Sequence, residues 1–153
     1  MGMNEKKSEL LIQEAFQTML RNTEDMIFVK DVDSVYVAAS LAWIKMAGKE
    51  TLEDVINKTD LEIFEDENLA ERYRKDDKKL LAEGKDLVDY MEPITDEDGH
   101  ARYGSTSKYL LYGPDGRPNG ILGITKDVTR DYIIKQHYQK ELSCLFELRS
   151  EEH

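Results

Sequence analysis

Cys144 is the only cysteine in this 153-residue chain, which excludes an internal disulfide and any multi-cysteine metal site. The residue reads as a small apolar filler. No apolar run approaches the roughly 18 residues of a membrane-spanning helix, and the opening MGMNEKKSE lacks the apolar core of a secretory signal. Positive charge is also short: 21 Lys and Arg face 32 Asp and Glu, for a net charge of −11. A surface of that sign repels a phosphate backbone, so this reading excludes nucleic acid as a partner. There is no Gly-rich phosphate loop, no nucleophile beside a base, and no carboxylate pair spaced for acid–base work. No His, Cys or carboxylate cluster has metal-ligand spacing either. The expectation is one cytoplasmic domain, or the cytoplasmic piece of a larger protein, long enough to bury a core.

What is present is a regular alternation of patterns. Leu11, Ile12, Ala15, Phe16, Met19 and Leu20 recur at helical spacing and predict an amphipathic helix over Asn4–Asn22. Asp25–Lys30 and Ser34–Ala38 are short, rich in β-branched and aromatic residues, and predict a hairpin. Ser40 starts a short helix through Trp43 and Met46 that stops at Gly48, and Thr51 and Thr59-Asp60 cap two further turns. A longer helix is predicted from its cap at Asp66 to Gly84, with Leu69, Ala70, Tyr73, Asp77, Leu80 and Leu81 facing inward. Three strands follow, Leu87–Thr95, His100–Tyr112 and Asn119–Val128. Asp98-Gly99 signals a two-residue hairpin at the first junction, and Gly113-Pro114-Asp115-Gly116 a turn at the second. The last strand hands directly to a helix over Arg130–Arg149, with Thr129 as cap and Asp131 in the first turn. Two strand groups around a helical insertion form one antiparallel sheet with helices on one face, an α+β fold.

Three motifs then carry a resemblance: DMIFVKD on the first strand, NKTDLEIF, and the run EPITDEDGHARYGSTSKYLLYGPDGRPNGILGITKDVT. In order and spacing they resemble PAS domains, sensory modules of bacterial signalling proteins, over roughly Asp25 to Thr129. The resemblance implies a five-stranded antiparallel sheet curved like a hand around the long helix and enclosing a small cavity. It divides the chain into a lead-in helix (1–23), a PAS domain (24–129) and an exit helix (130–153). Asp127 and Thr129 match the family's Asp-[IV]-Thr joint, where both side chains tie the last strand to the exit helix and relay the signal. It also implies a non-catalytic input module whose exit helix leads to a histidine kinase or diguanylate cyclase. ELSCLFEL is similar to the linker before such cyclases.

The cofactor is left unknown. Flavin-adduct relatives carry a cysteine near the long helix and a glutamine two residues before the joint, where this chain has TDLEIFEDEN and Thr125. Haem-binding relatives place a histidine on or near the long helix, whereas the histidines here are His100, His137 and His153. The resemblance therefore implies neither chemistry.

A small-molecule pocket stays open. If Thr125 faces inward, so do Ile121 and Gly123, and Gly123 leaves room. On the neighbouring strand, Tyr103, Ser105, Ser107 and Tyr109 are taken as the inner face because that choice puts Arg102 and Lys108 in water. With Tyr73, Asp77, Tyr90 and Trp43 they make a polar lining. Along the exit helix Ile134, Tyr138, Glu141, Leu145 and Leu148 follow the a/d spacing of a coiled coil, a candidate homodimer seam at Ile134, Tyr138, Leu145 and Leu148. Three readings remain open: a ligand-binding sensor relaying through its terminal helices, a ligand-free dimerisation scaffold, and a small enzyme using Asp77 and a tyrosine as acid and base.

Overall fold

The computed structural model describes residues 2–96 and 98–151. Its elements are α1 (Gly2–Asn22), β1 (Met26–Asp31), β2 (Tyr36–Ala39), α2 (Leu41–Met46), α3 (Asp60–Ile63), α4 (Glu67–Glu83), β3 (Leu87–Thr95), β4 (Ala101–Tyr112), β5 (Pro118–Asp127) and α5 (Thr129–Glu151), with a 3-10 turn at Leu52–Asp54. The five strands form one antiparallel sheet in the order β2-β1-β5-β4-β3. This is the expected α+β architecture with helices on one face and flanking helices at both ends.

Local chemistry starts and stops the elements. Ser40 opens α2 by accepting the amide of Trp43, and its hydroxyl also bridges Asp25 and Ile27 across the strand start. Asp66 takes the amides of Asn68 and Leu69 at the head of α4, and Gly84 ends that helix at φ +67°, a left-handed cap that glycine adopts without strain. The β3–β4 turn differs from the two-residue expectation. The strands part at Thr95 and resume at Ala101, because the Asp96 carboxylate accepts the amides of Asp98 and His100 and holds a wider loop.

Strand pairing decides which side chains share a face. Phe28 pairs with Gly123, Lys30 with Ile121, Thr106 with Thr125, Lys108 with Gly123 and Leu110 with Ile121, so all of these point to the concave side. There Phe28, Tyr36, Trp43, Ile44, Val55, Ile63, Leu110 and Ile121 form the main core under α2 to α4. On the convex side Ile27 and Ala38 pack with Leu20 of α1, flanked by Phe16, Val29, Leu122 and Ile124. Only the last turns of α1 are held this way, and Leu10, Leu11 and Ile12 stay exposed. On α5 the ring of Tyr132 stacks on Tyr103 of β4 with centroids 4.2 Å apart. Cys144 is exposed on α5, not a core filler.

Candidate functional site

The concave side holds a buried ion network. Lys30, at an inward position after the apolar run Met26–Val29 of β1, sends its ammonium to Asp60 Oδ2 at 2.8 Å and Asp77 Oδ2 at 2.7 Å. All three side chains are 3% exposed or less. The Tyr36 hydroxyl donates to Asp60 Oδ1 at 2.6 Å, and the Lys30 ammonium lies over the Tyr36 ring, 4.6 Å from its centre. Lys108 stands 3.6 Å from Asp77 Oδ1. Desolvation makes such charges costly unless each meets an opposite charge and hydrogen bonds, and the strands and helices are placed so that most do. Burial, and next the Asp60 carboxylate, push the ionisation of Tyr36 far up, so its hydroxyl acts as a fixed donor.

Beside this network the concave face turns polar. Thr106 Oγ1 meets Thr125 Oγ1 at 2.8 Å and donates to the Glu92 carboxylate on β3. Tyr73 on α4 packs edge-on against Phe64 with centroids 5.4 Å apart, and its burial pushes its pKa up and keeps the phenol neutral.

Several sequence-selected residues meet here and others do not. Asp77, Tyr73, Trp43 and Thr125 face the palm, and Asp77 is buried in an ion pair, not set at a watery edge. Tyr90 pairs with Thr106 but on an edge strand, where it is 55% exposed. The face chosen for β4 was inverted. Tyr103, Ser105, Ser107 and Tyr109 lie on the convex side, since Ser105 pairs with Lys126 and Tyr109 with Leu122 of the outer cluster. Ser107 there accepts the amide of Asp89 at a bulge in β3. The rule that charges seek water fails at Lys108, which buried Asp77 meets inside, whereas Arg102 and Asp127 pair at an exposed end of the same face. Gly123 leaves no vacant room, for the Phe28 ring occupies the space its side chain would take. Lys30, Tyr36, Asp60, Thr106 and Lys108 were missed. The available signal was a lysine at an apolar parity in MIFVKD together with an aspartate in the apolar stripe of α4.

A second constellation sits where β5 becomes α5. Asp127 Oδ1 accepts the amide of Thr129 at 3.0 Å and its hydroxyl at 2.6 Å. The same hydroxyl oxygen accepts the amide of Tyr103 at 2.9 Å, and the amide of Val128 donates to the Tyr103 carbonyl. Asp127 Oδ2 pairs with Arg102 Nε. Thr129 is thus not a simple helix cap: its side chain bonds β4, so three consecutive residues are tied to the neighbouring strand. Partial burial opposes the Asp127 charge, but the Arg102 guanidinium and the Thr129 hydroxyl and amide outweigh it and hold the carboxyl below 3.8. A depressed pKa gives stabilisation that is present above the unfolded value and lost as pH falls through the folded one. Carbon-13 NMR is therefore expected to find Asp127 titrating below 3.8, and to find it moved back towards that value in Arg102→Gln. An unshifted titration in both would dissolve the joint as drawn.

Among the described residues, Asp96, Asp98 and His100 do bring one ligand atom each within 4.8 Å of one another, closer than the sequence suggested. Asp96 Oδ1 is already committed to the turn amides. On α5, Ile134, Tyr138, Leu145 and Leu148 are all exposed, as is Leu142 beside them. Glu141 pairs with His137 at 3.2 Å. His100 lies in the β3–β4 turn, and His153 lies outside the described residues. No described helix is long and apolar enough to cross a membrane.

A family profile described as the PAS fold matches residues 20–132. Comparison with curated proteins returns no match. Among solved structures the chain is similar to VqmA of Vibrio cholerae, a dimer discussed for the DNA-binding mechanisms of LuxR-type receptors, at 23% identity and TM-score 0.63 over 77% of this chain and 53% of VqmA. It is similar to the PAS domain of Bordetella pertussis BvgS at 22% identity and TM-score 0.64, over 84% of this chain and 96% of that domain. An RNA-binding light-oxygen-voltage receptor matches at 20% identity and TM-score 0.61, over 88% of this chain and 38% of the receptor. The chain spans about half the length of the VqmA chains it matches. These neighbours overturn the exclusion of nucleic acid. The fold occurs in a DNA-binding and in an RNA-binding receptor, so an acidic surface on this module says nothing against such a partner for a protein that carries it. No catalytic family is indicated.

Proposed function

We propose a specific sensory role, because this chain belongs to the PAS family, whose members are generally non-catalytic sensory modules: it takes a small ligand or a partner in the palm and relays that event through α5. The module is residues 24–129, flanked by 1–23 and 130–153, and acts in the cytoplasm. The observation that carries this reading is the joint of Asp127, Thr129, Tyr103 and Arg102. Through it a shift of β4 or β5 reaches the first turn of α5 with no slack between them. The palm then supplies the input through Trp43, Tyr73, Asp77 and Thr125. Exposed Ile134, Tyr138, Leu145 and Leu148 supply a seam for a second copy, so that two exit helices move together. VqmA is likewise a dimer, and a ligand–DNA complex of it is known. The output served is a diguanylate cyclase, a histidine kinase or a nucleic-acid-binding domain.

The test is a fusion to a measurable output. Asp127→Ala and Thr129→Ala are expected to reduce the ligand-dependent change in output several-fold while leaving ligand affinity within about twofold. Equal responses of wild type and both variants would refute the relay. A second reading, a ligand-free dimerisation scaffold, is favoured by one observation: Lys30, Asp60, Asp77 and Tyr36 fill the centre of the palm. Native mass spectrometry of protein purified from several hosts separates the two, since a persistently unliganded dimer supports the scaffold.

A further inference from the structure

The side of α4 that faces away from the sheet carries an open groove of about 620 Å³ lined by Asn68, Glu71, Arg72, Arg74, Lys75 and Lys78. Ala70 and Asp77 are the buried residues of the same helix and lie on its other side, so the groove is separate from the palm. Spacings of four and three residues set Glu71, Lys75 and Lys78 in one row, with Arg74 beside them. Four cations thus surround one carboxylate, in a chain whose acids outnumber its bases 32 to 21.

These cations are unclaimed. Lys30, Lys79, Lys108 and Arg102 each reach a carboxylate, whereas Arg72, Arg74, Lys75 and Lys78 pair with none among the described residues. Arg72 rests over the Tyr73 ring, 5.9 Å from its centre. Arg74 Nε is buried and has no hydrogen-bond acceptor among the described residues. A sealed donor of that kind costs free energy, and turning the guanidinium outward to an acceptor in the groove removes the cost.

We infer that this groove binds a compact anion of the diphosphate class. A single carboxylate is a poor match: Glu71 is at hand and closes on none of the four, as the small net worth of an exposed pair allows. Linked phosphates place several charges within a few ångströms, and the fork of Arg74 takes two phosphate oxygens at once through Nε and one Nη. Lys75 and Lys78 are separated by roughly 4.5 Å along the helix axis, so both ammoniums reach the same ligand. A ligand that short stays within a Debye length of these cations, about 8 Å at physiological salt. It therefore meets the local positive field more than the net charge of −11 on the whole chain.

Inorganic pyrophosphate, malonate and an oligothymidylate, each free of divalent metal, serve as probes on the nitrogen-15-labelled full chain at low ionic strength. Pyrophosphate is expected to shift the amides of residues 71–78 in a saturable way, to leave those of Lys30 and Thr106 unmoved, and to bind several-fold more weakly at about 0.15 M salt. Arg74→Lys keeps the charge and loses the fork, and is expected to weaken binding several-fold. Glu71→Gln removes the one repelling carboxylate and is expected to tighten it. Both side chains lie outside the core, so the rest of the spectrum stays that of the folded protein. Malonate binding as tightly as pyrophosphate overturns the phosphate class. An oligothymidylate acting at about tenfold lower phosphate concentration, with a steep salt dependence, replaces the compact ligand by a nucleic-acid backbone and overturns it too. Binding that ignores both substitutions is loose accumulation of ions and refutes a built groove, and unmoved amides over residues 71–78 end the inference.

Discussion

Replacing Lys30 with alanine is expected to lower the stability of the domain by about 3–5 kcal/mol, read from the denaturant midpoint at unchanged slope. The reason is what the substitution leaves behind. Asp60 and Asp77 are 0% and 1% exposed and take Lys30 as their common partner at 2.8 and 2.7 Å. Without it Asp60 keeps the Tyr36 hydroxyl, and Asp77 keeps only Lys108 at 3.6 Å. Two carboxylates would then share a space that water does not reach. The loss comes from stranding charge, not from a large favourable energy of the pair itself. The triple variant Lys30→Met, Asp60→Asn, Asp77→Leu is therefore expected to recover much of the lost stability, because it removes the three most buried charges together and leaves only Lys108, which at 16% exposure reaches solvent. A single-variant loss below about 1 kcal/mol, the range of an exposed pair, would show that the network is solvated in solution.

The second large effect lies one strand away. Gly123→Ala is expected to cost about 1–3 kcal/mol, and Gly123→Val more, by overpacking. An added methyl would sit 2.2 and 2.3 Å from two carbons of the Phe28 ring. That ring cannot swing clear, because its faces and edges meet Tyr36 and Trp43 at centroid distances of 5.8 and 6.3 Å. Trimming the ring in Gly123→Ala with Phe28→Leu is expected to restore part of the loss, a non-additivity that marks direct contact. Simple additivity of the two changes would place the strain elsewhere.

The two cases show where sequence reading succeeds and where it stops. Helix ends, strand runs and the β5–α5 handover follow from caps and periodicity that act within a few residues, and Asp66 and Gly84 behave as their local chemistry dictates. The parity of β5 also followed from alternation, with Ile121, Gly123 and Thr125 on one side. The face of β4 did not. Its two parities are both half polar, and the deciding partner, Asp77 for Lys108, is 31 positions away along the chain. A rule that sends charges outward has no access to a countercharge supplied by another element. Thr129 is a similar case. A threonine before a helix reads as a cap, and only the lateral approach of Tyr103 reveals that its hydroxyl bonds a strand instead.

The place of β5 in the sheet bears on how the molecule comes into being. Two hairpins, β1–β2 and β3–β4, are joined to each other only across β5, and an isolated hairpin is marginal in water. As the chain leaves the ribosome, neither hairpin finds a permanent neighbour until the final strand emerges, so the sheet closes late and at once. Release of a nascent chain cut short before residue 118 would leave two unjoined ribbons, and cellular proteases are expected to clear that product far faster than the finished protein.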